Sequence, residues 1–169
     1  MKTVPVKTYY LEMHGRPERS IAAPREGVEV VRVRQPSVAF YRFLYDSVGR
    51  DWNWVDRKRL SDDQLQAILH DEQVELNVLH VGGKPAGFCE IDRRVEGQVK
   101  LEYFGLMPEF IGKGLGAYFL DRMVQHAWDY APNRVWLHTC ELDHEAALPL
   151  YRRAGFQVYD ERVVSHTLL

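Results

Sequence analysis

The segment Leu101-Glu102-Tyr103-Phe104-Gly105-Leu106-Met107-Pro108-Glu109-Phe110-Ile111-Gly112-Lys113-Gly114-Leu115-Gly116 constrains this chain more than any other. It reads as a strand, Val99 to Met107, that enters a glycine-alternating turn, and the turn opens a helix reaching to about Tyr130. Glycines leave backbone N–H groups uncovered, and a helix N-terminus adds about half a positive charge. The combination predicts a seat for a phosphate or pyrophosphate. A Walker A loop would end in Gly-Lys-Ser/Thr, which this turn does not. A dinucleotide fingerprint needs GxGxxG early in a βαβ unit. Here the spacing is GxGxG, and hairpin strands come first.

The hairpins are legible upstream. Val74 to Val81 and Ala86 to Arg93 read as strands joined by Gly82-Gly83-Lys84, and Glu96-Gly97-Gln98 leads into the strand of the key segment. Before them, Val6 to Met13 has β character, residues 14–27 are turn-like, and Val28 to Val33 is a strand. Ser37 can cap a helix over Phe40, Tyr41, Phe43, Leu44 and Val48, and Ser61-Asp62-Asp63-Gln64 is a capping box for a second. Downstream, Val135 to Thr139 is a strand, Glu145 to Ala154 a helix with Gly155 as its C-terminal stop, and Phe156 to Val164 a last strand. Antiparallel hairpins followed by βαβ crossovers predict an α/β (α+β) chain with one mixed sheet covered by helices.

Length and charge narrow the class. At 169 residues one domain is expected. A net charge of -2 argues against broad nucleic-acid binding, which needs clustered Lys and Arg. No apolar run approaches the ~18 residues of a membrane span, and Met1-Lys2-Thr3-Val4-Pro5 lacks a signal peptide's apolar stretch. Cys89 and Cys140 lie in strands and outside any CxxC, so two reduced thiols in a cytoplasmic protein are expected.

A second segment, Ala147-Leu148-Pro149-Leu150-Tyr151-Arg152-Arg153-Ala154-Gly155-Phe156, stands one helix and one strand downstream of the glycine turn. Together the two resemble the GCN5-related N-acetyltransferases (GNAT). Pro108 to Gly116 is similar to that family's motif A, Q/R-x-x-G-x-G/A, and the later segment to its motif B, A-x-x-L-Y-x-x-x-G-F. The resemblance covers roughly Val28 to Val164. Two positions depart from the pattern. Ile111 stands where motif A opens with Arg or Gln, and His144 stands where an Asn often precedes motif B.

The resemblance implies a GNAT fold, a twisted mixed sheet of six or seven strands flanked by about four helices. It would be one domain over residues 1–169, with a core at 28–164 and residues 1–27 as an N-terminal strand and turn region. It also implies acetyl transfer from acetyl-CoA to a primary amine, without a metal. Phe104, Leu106, Ile111, Gly112, Lys113, Gly114, Leu115, Gly116, Ala117, His144 and Tyr151 would then hold the cofactor. Tyr151 would protonate the departing thiolate, since a phenol near pKa ~10 keeps its proton at neutral pH; otherwise it is an aromatic core residue. The backbone N–H near Leu106 would steady the oxyanion, in a stretch, Gly105 to Met107, where the family's strands splay at a bulge.

An alkylamine has a pKa near ~10.4, so a base must take its proton. Glu102 is the first candidate, expected to share a strand face with Leu106; an exposed or ion-paired strand Glu is the competing reading. Glu90 is the backup and Glu141 a weaker third. Trp52, Trp54 and Tyr45 are candidates for the acceptor wall, as aromatic partners of a cationic amine or simply as core. His138, Cys140, Asp143 and His144 cluster at a strand end, yet H-x-C-x3-H is no zinc spacing, and a loop beside the cofactor, with Asp143 or His144 capping the following helix, is expected. The acceptor would be a small-molecule or peptide amine, with no nucleic-acid or membrane partner, on a monomer or homodimer. A protein lysine or N-terminal acetyltransferase and a non-catalytic acyl-CoA sensor are the alternatives.

Overall fold

Residues 2–168 are described in a computed structural model. The hydrophobic periodicity resolves into seven strands and four α-helices. The strands are β1 (Lys2–Met13), β2 (Val28–Val33), β3 (Val74–Val81), β4 (Lys84–Asp92), β5 (Gln98–Leu106), β6 (Arg134–Cys140) and β7 (Gln157–Leu168). The helices are α1 (Val38–Gly49), α2 (Asp62–Leu69), α3 (Leu115–Trp128) and α4 (Ala147–Arg153). Caps place the first two where the chemistry predicts. Ser37 Oγ accepts from Phe40 N–H at 3.1 Å, and Ser61 and Gln64 satisfy each other's backbone in a full capping box.

The seven strands form one mixed sheet in the order β2-β3-β4-β5-β6-β1-β7. The first four are antiparallel neighbours, β5 and β6 run parallel across α3, and β1 is antiparallel to both β6 and β7. Each face buries its own core. One side packs Tyr41, Leu44 and Val48 of α1 and Leu65 of α2 on Leu76, Val78 and Phe88. The other packs Phe119, Leu120 and Met123 of α3 on Leu79, Ile91, Leu101 and Leu137. Each of these fully buried apolar side chains contributes about 1.5–3 kcal/mol.

Three expectations need correcting. Residues 1–27 do not stand outside the core: β1 is an interior strand, with Val6, Leu11 and Met13 buried. It begins before Val6 and includes Pro5. Pro5 is opposite Ser165 of β7 and lies beyond the last β6 pairing at Thr8, so the missing N–H breaks no ladder on that side. The last strand runs four residues past Val164 to Leu168. The stretch joining α1 to α2 is ordered as two 3-10 turns, Arg50–Trp52 and Arg57–Arg59.

Candidate active site

β5 and β6 pair over only three positions, from Gln98↔Arg134 to Lys100↔Trp136. Beyond them the two strands part, although β5 continues to Leu106 and β6 to Cys140. The gap is the mouth of a cleft of about 670 Å³. The register against β4 shows which backbone groups face it. Met107 N–H donates to Ala86 O at 2.8 Å, and Leu106 pairs with Gly87. Antiparallel alternation therefore turns the N–H and C=O of Leu106 and Phe104 away from β4 and into the cleft.

The bulge lies elsewhere than expected. Register shifts between Glu90↔Tyr103 and Ile91↔Leu101, so Glu102 is the extra residue, not one of Gly105 to Met107. The bulge flips the phase of the strand. Leu101 packs on the α3 side before it, and Phe104 and Leu106 pack there after it. Glu102 instead shares the opposite face with Lys100, whose Nζ lies 2.9 Å from its carboxylate, so it does not share a face with Leu106. Tyr103, which follows, packs with the α1-side core.

At one end of the cleft lies the glycine turn. Gly112 and Gly114 take φ of +81° and +77°, and Gly114 caps α3 in the left-handed region. Among the described residues no backbone carbonyl accepts from the N–H groups of Gly112 to Ala117. Ile111, Gly112, Gly114, Gly116 and Ala117 line the cleft. Leu115 is core and reaches this end only through its backbone, and Lys113 is exposed, its Nζ 5.9 Å from the Phe110 ring centroid. Free amides at a helix N-terminus suit an anionic phosphate.

Tyr151 stands in the cleft wall at 7% exposure, its ring 6.2 Å from that of Phe104. Burial, with Asp143 and Cys89 adding to it, raises its pKa far above that of a free phenol. Among the described residues its hydroxyl has no hydrogen-bond partner. It is thus a protonated donor directed at whatever fills the cleft. Cys140 also lines the cleft, but burial and Asp143 push its thiol up to about 11, leaving little thiolate at neutral pH.

The opposite end is built from rings. Tyr45, Trp54 and Tyr103 have centroids 5.1–5.6 Å apart and share the cleft wall. Burial pushes Tyr45 up to about 12 and Tyr103 higher still, so both stay neutral. Gly105 permits this packing: a Cβ there would lie 2.5 Å from Val48 Cγ1 and 3.4 Å from Trp54. Trp54 Nε1–H donates to Asp143 at 3.1 Å, and Asp143 also accepts from Thr139 Oγ1 at 2.5 Å and Cys140 N–H at 3.0 Å. Trp52 stacks edge-on to His144 at 5.0 Å, and His144 Nδ1 accepts from Ala146 N–H ahead of α4. His166 Nε2 lies 2.9 Å from Asn53 O, which ties β7 to the tryptophan loop, and His166 lines the cleft.

Glu90 does not reach the cleft. It is 1% exposed, 2.7 Å from the Arg57 guanidinium, and accepts from the Tyr41 hydroxyl. Burial works against the Arg57 charge and Glu90 more than offsets it. The pair therefore anchors the wall: Arg57 lies over the Tyr103 ring at 5.3 Å, and its N–H donates to Tyr45 Oη at 3.3 Å. Glu141 is exposed and accepts from Lys7 N–H, away from the cleft. Sequence reasoning missed Tyr103 as a wall residue, because a bulge leaves no mark on composition. It also passed over His138, which lines the same wall. Among the described residues no three His, Cys, Asp or Glu side chains gather to hold a metal, and no helix is long and apolar enough to cross a membrane.

The mixed sheet thus opens between two parallel strands, with a glycine-amide seat and an aromatic box both lining the one cleft. The family model described as acetyltransferase (GNAT) family matches residues 41–156, and the chain belongs to that family. The structure is similar to a GCN5-related N-acetyltransferase from Sphaerobacter thermophilus, with TM-score 0.70 and 18% identity over 98% of this chain and 53% of that one. It is also similar to a GCN5-related N-acetyltransferase from Kribbella flavida, with TM-score 0.61 and 16% identity over 95% and 58%. An aminoglycoside acetyltransferase from an uncultured soil metagenomic sample matches with TM-score 0.64 and 15% identity over 85% and 95%. This chain spans just over half the length of the first two. No curated protein sequence matches it.

Proposed function

We propose that the protein moves an acetyl group from acetyl-CoA to the primary amine of a small molecule, by direct attack in a ternary complex. The observation that carries this reading is the convergence on one cleft of the Gly112–Gly116 amides, the unpaired Phe104–Leu106 edge and the unpartnered Tyr151 hydroxyl. The amides would seat the pyrophosphate. The pantetheine would lie along β5 as an added strand, and Leu106 N–H would meet the thioester oxygen as charge develops on it. Tyr151 would give its proton to the departing thiolate. The high pKa of Cys140 supports direct attack over a covalent intermediate. Glu102 would draw the cationic amine in, between the rings of Tyr45, Trp54 and Tyr103.

A small acceptor is favoured over a protein by the aromatic box of Tyr45, Trp54 and Tyr103, which the His166–Asn53 contact ties to β7, since close-set rings suit a compact amine. The acceptor is expected to be a single amine-bearing molecule, with the enzyme acting as monomer or homodimer. Thiol release from acetyl-CoA, measured over a panel of small amines and lysine peptides with mass spectrometry of the products, tests the reading. Turnover on small amines supports it. Turnover confined to peptides overturns the small-molecule part, and CoA binding without turnover on any amine overturns acetyl transfer.

A further inference from the structure

Glu102 and His138 lie two residues beyond the last β5–β6 pair, one on each strand, just past the buried Leu101 and Leu137, at the apex where the sheet opens. They are not equivalent. The Glu102 carboxylate is held by Lys100 Nζ at 2.9 Å, an ion pair only 18% exposed on either side. The His138 ring lies against Tyr10 at 5.7 Å and Trp136 at 6.4 Å, exposed to the cleft. Among the described residues neither of its nitrogens has a hydrogen-bond partner. The apex thus offers one committed carboxylate and one free imidazole.

We propose that His138 is the base that takes the proton from the acceptor amine; this rests on the acetyl-transfer reading above. The charged groups around it are Lys100 and Glu102 on β5, Asp143 after β6 and Asp56 on the tryptophan loop, with Tyr10 on β1 beneath. Crowding by protein, aided by Lys100, holds the imidazole below its ordinary pKa, against the opposing pull of the three carboxylates. It is therefore neutral at pH 7, with a lone pair to accept a proton. In the step, the amine, its ammonium proton already released to solvent, bonds through its nitrogen lone pair to the thioester carbon, and the carbonyl π pair moves onto the oxygen at Leu106 N–H. His138 takes an N–H proton. The carbonyl re-forms, the C–S bond breaks, and the thiolate takes the Tyr151 proton. The imidazolium and phenolate then exchange their proton through solvent, so the net change is one proton from amine to thiol.

The test is the pH profile of kcat/KM for the best acceptor, measured in wild type, His138→Gln, His138→Ala, Glu102→Gln and Lys100→Gln. Wild type should gain activity as pH rises through a limb below about 6.5. His138→Gln should lose that limb and about 100-fold or more in kcat, with acetyl-CoA affinity and Tm unchanged, and imidazole should restore part of the His138→Ala activity. Glu102→Gln should move the limb to lower pH by removing a negative neighbour, and Lys100→Gln to higher pH by removing a positive one. A merely structural His138 would not produce these opposite shifts. Retention of the limb and of kcat within about threefold in His138→Gln overturns the proposal, as does loss of the limb in Glu102→Gln alone. If wild type binds CoA but acetylates no amine, the parent reading fails and this one with it; turnover with an unaffected His138→Gln fails only this one.

Discussion

The two ends of the cleft are made of different material. The glycine end is backbone: amides freed by Gly112 and Gly114, and a strand edge freed by the splay. The aromatic end is side chain: three rings, Glu102 and His138, gathered from β5, β6, α1 and the loop after it. Backbone geometry demands particular residues at fixed spacing, because few residues tolerate a φ near +80°. Side-chain walls place no such demand, and many residues fill the same space.

That division breaks if a change at one end moves the other. The largest effect is expected from Arg57→Ala, which strands Glu90 in the interior and should cost about 3–5 kcal/mol of stability, read from denaturant unfolding. Acetyl-CoA affinity at temperatures where the variant is folded should hold, while acceptor KM rises. Next is Tyr151→Phe. It should lower kcat roughly 100-fold and leave the Kd for CoA unchanged by calorimetry, because only the transferable proton is lost. Gly114→Val forces a β-branched residue to φ +77°, at a cost of about 1–2 kcal/mol, so the Kd for CoA should weaken about tenfold while acceptor KM stays put. Trp54→Phe removes the donor to Asp143 and should raise acceptor KM several-fold. Cys140→Ser should leave kcat within about twofold, since a thiol with a pKa of about 11 is no nucleophile at neutral pH.

Legibility in the sequence follows the same division. The hairpins, the glycine turn and both helix caps were readable because each is local, set by neighbours within a few residues. Gly114 capping α3 is a backbone statement that a spacing can carry. The bulge at Glu102 was not readable, since it adds one residue to a strand without changing its apolar character, and it reversed the predicted face of that side chain. Glu90 looked like any carboxylate on a strand. Its burial depends on Arg57, 33 positions away, and Tyr41, 49 positions away. His138 read only as part of a strand-end cluster, a metal ligand or a loop beside the cofactor, because the strand that faces it, β5, is its neighbour in space and not in sequence.

The interior position of β1 bears on how this chain reaches its native state. Its partners are β6 and β7, so Tyr10 pairs with His138 and Val4 with His166, contacts that span most of the sequence. Loops of that size close slowly, and such topologies fold slowly. During synthesis at about 5–20 residues per second, the first strand emerges and then waits several seconds or more without a partner. Val6 and Leu11, both fully or almost fully buried in the end, face solvent or a chaperone throughout that interval. The antiparallel β2-β3-β4-β5 part of the sheet, with α1 and α2, lies within residues 28–106 and can form while β1 is still open, leaving only β5's edge toward β6 unpaired. The aromatic box can therefore be assembled before the V-shaped mouth, and the chain's first residues are among the last to find their place.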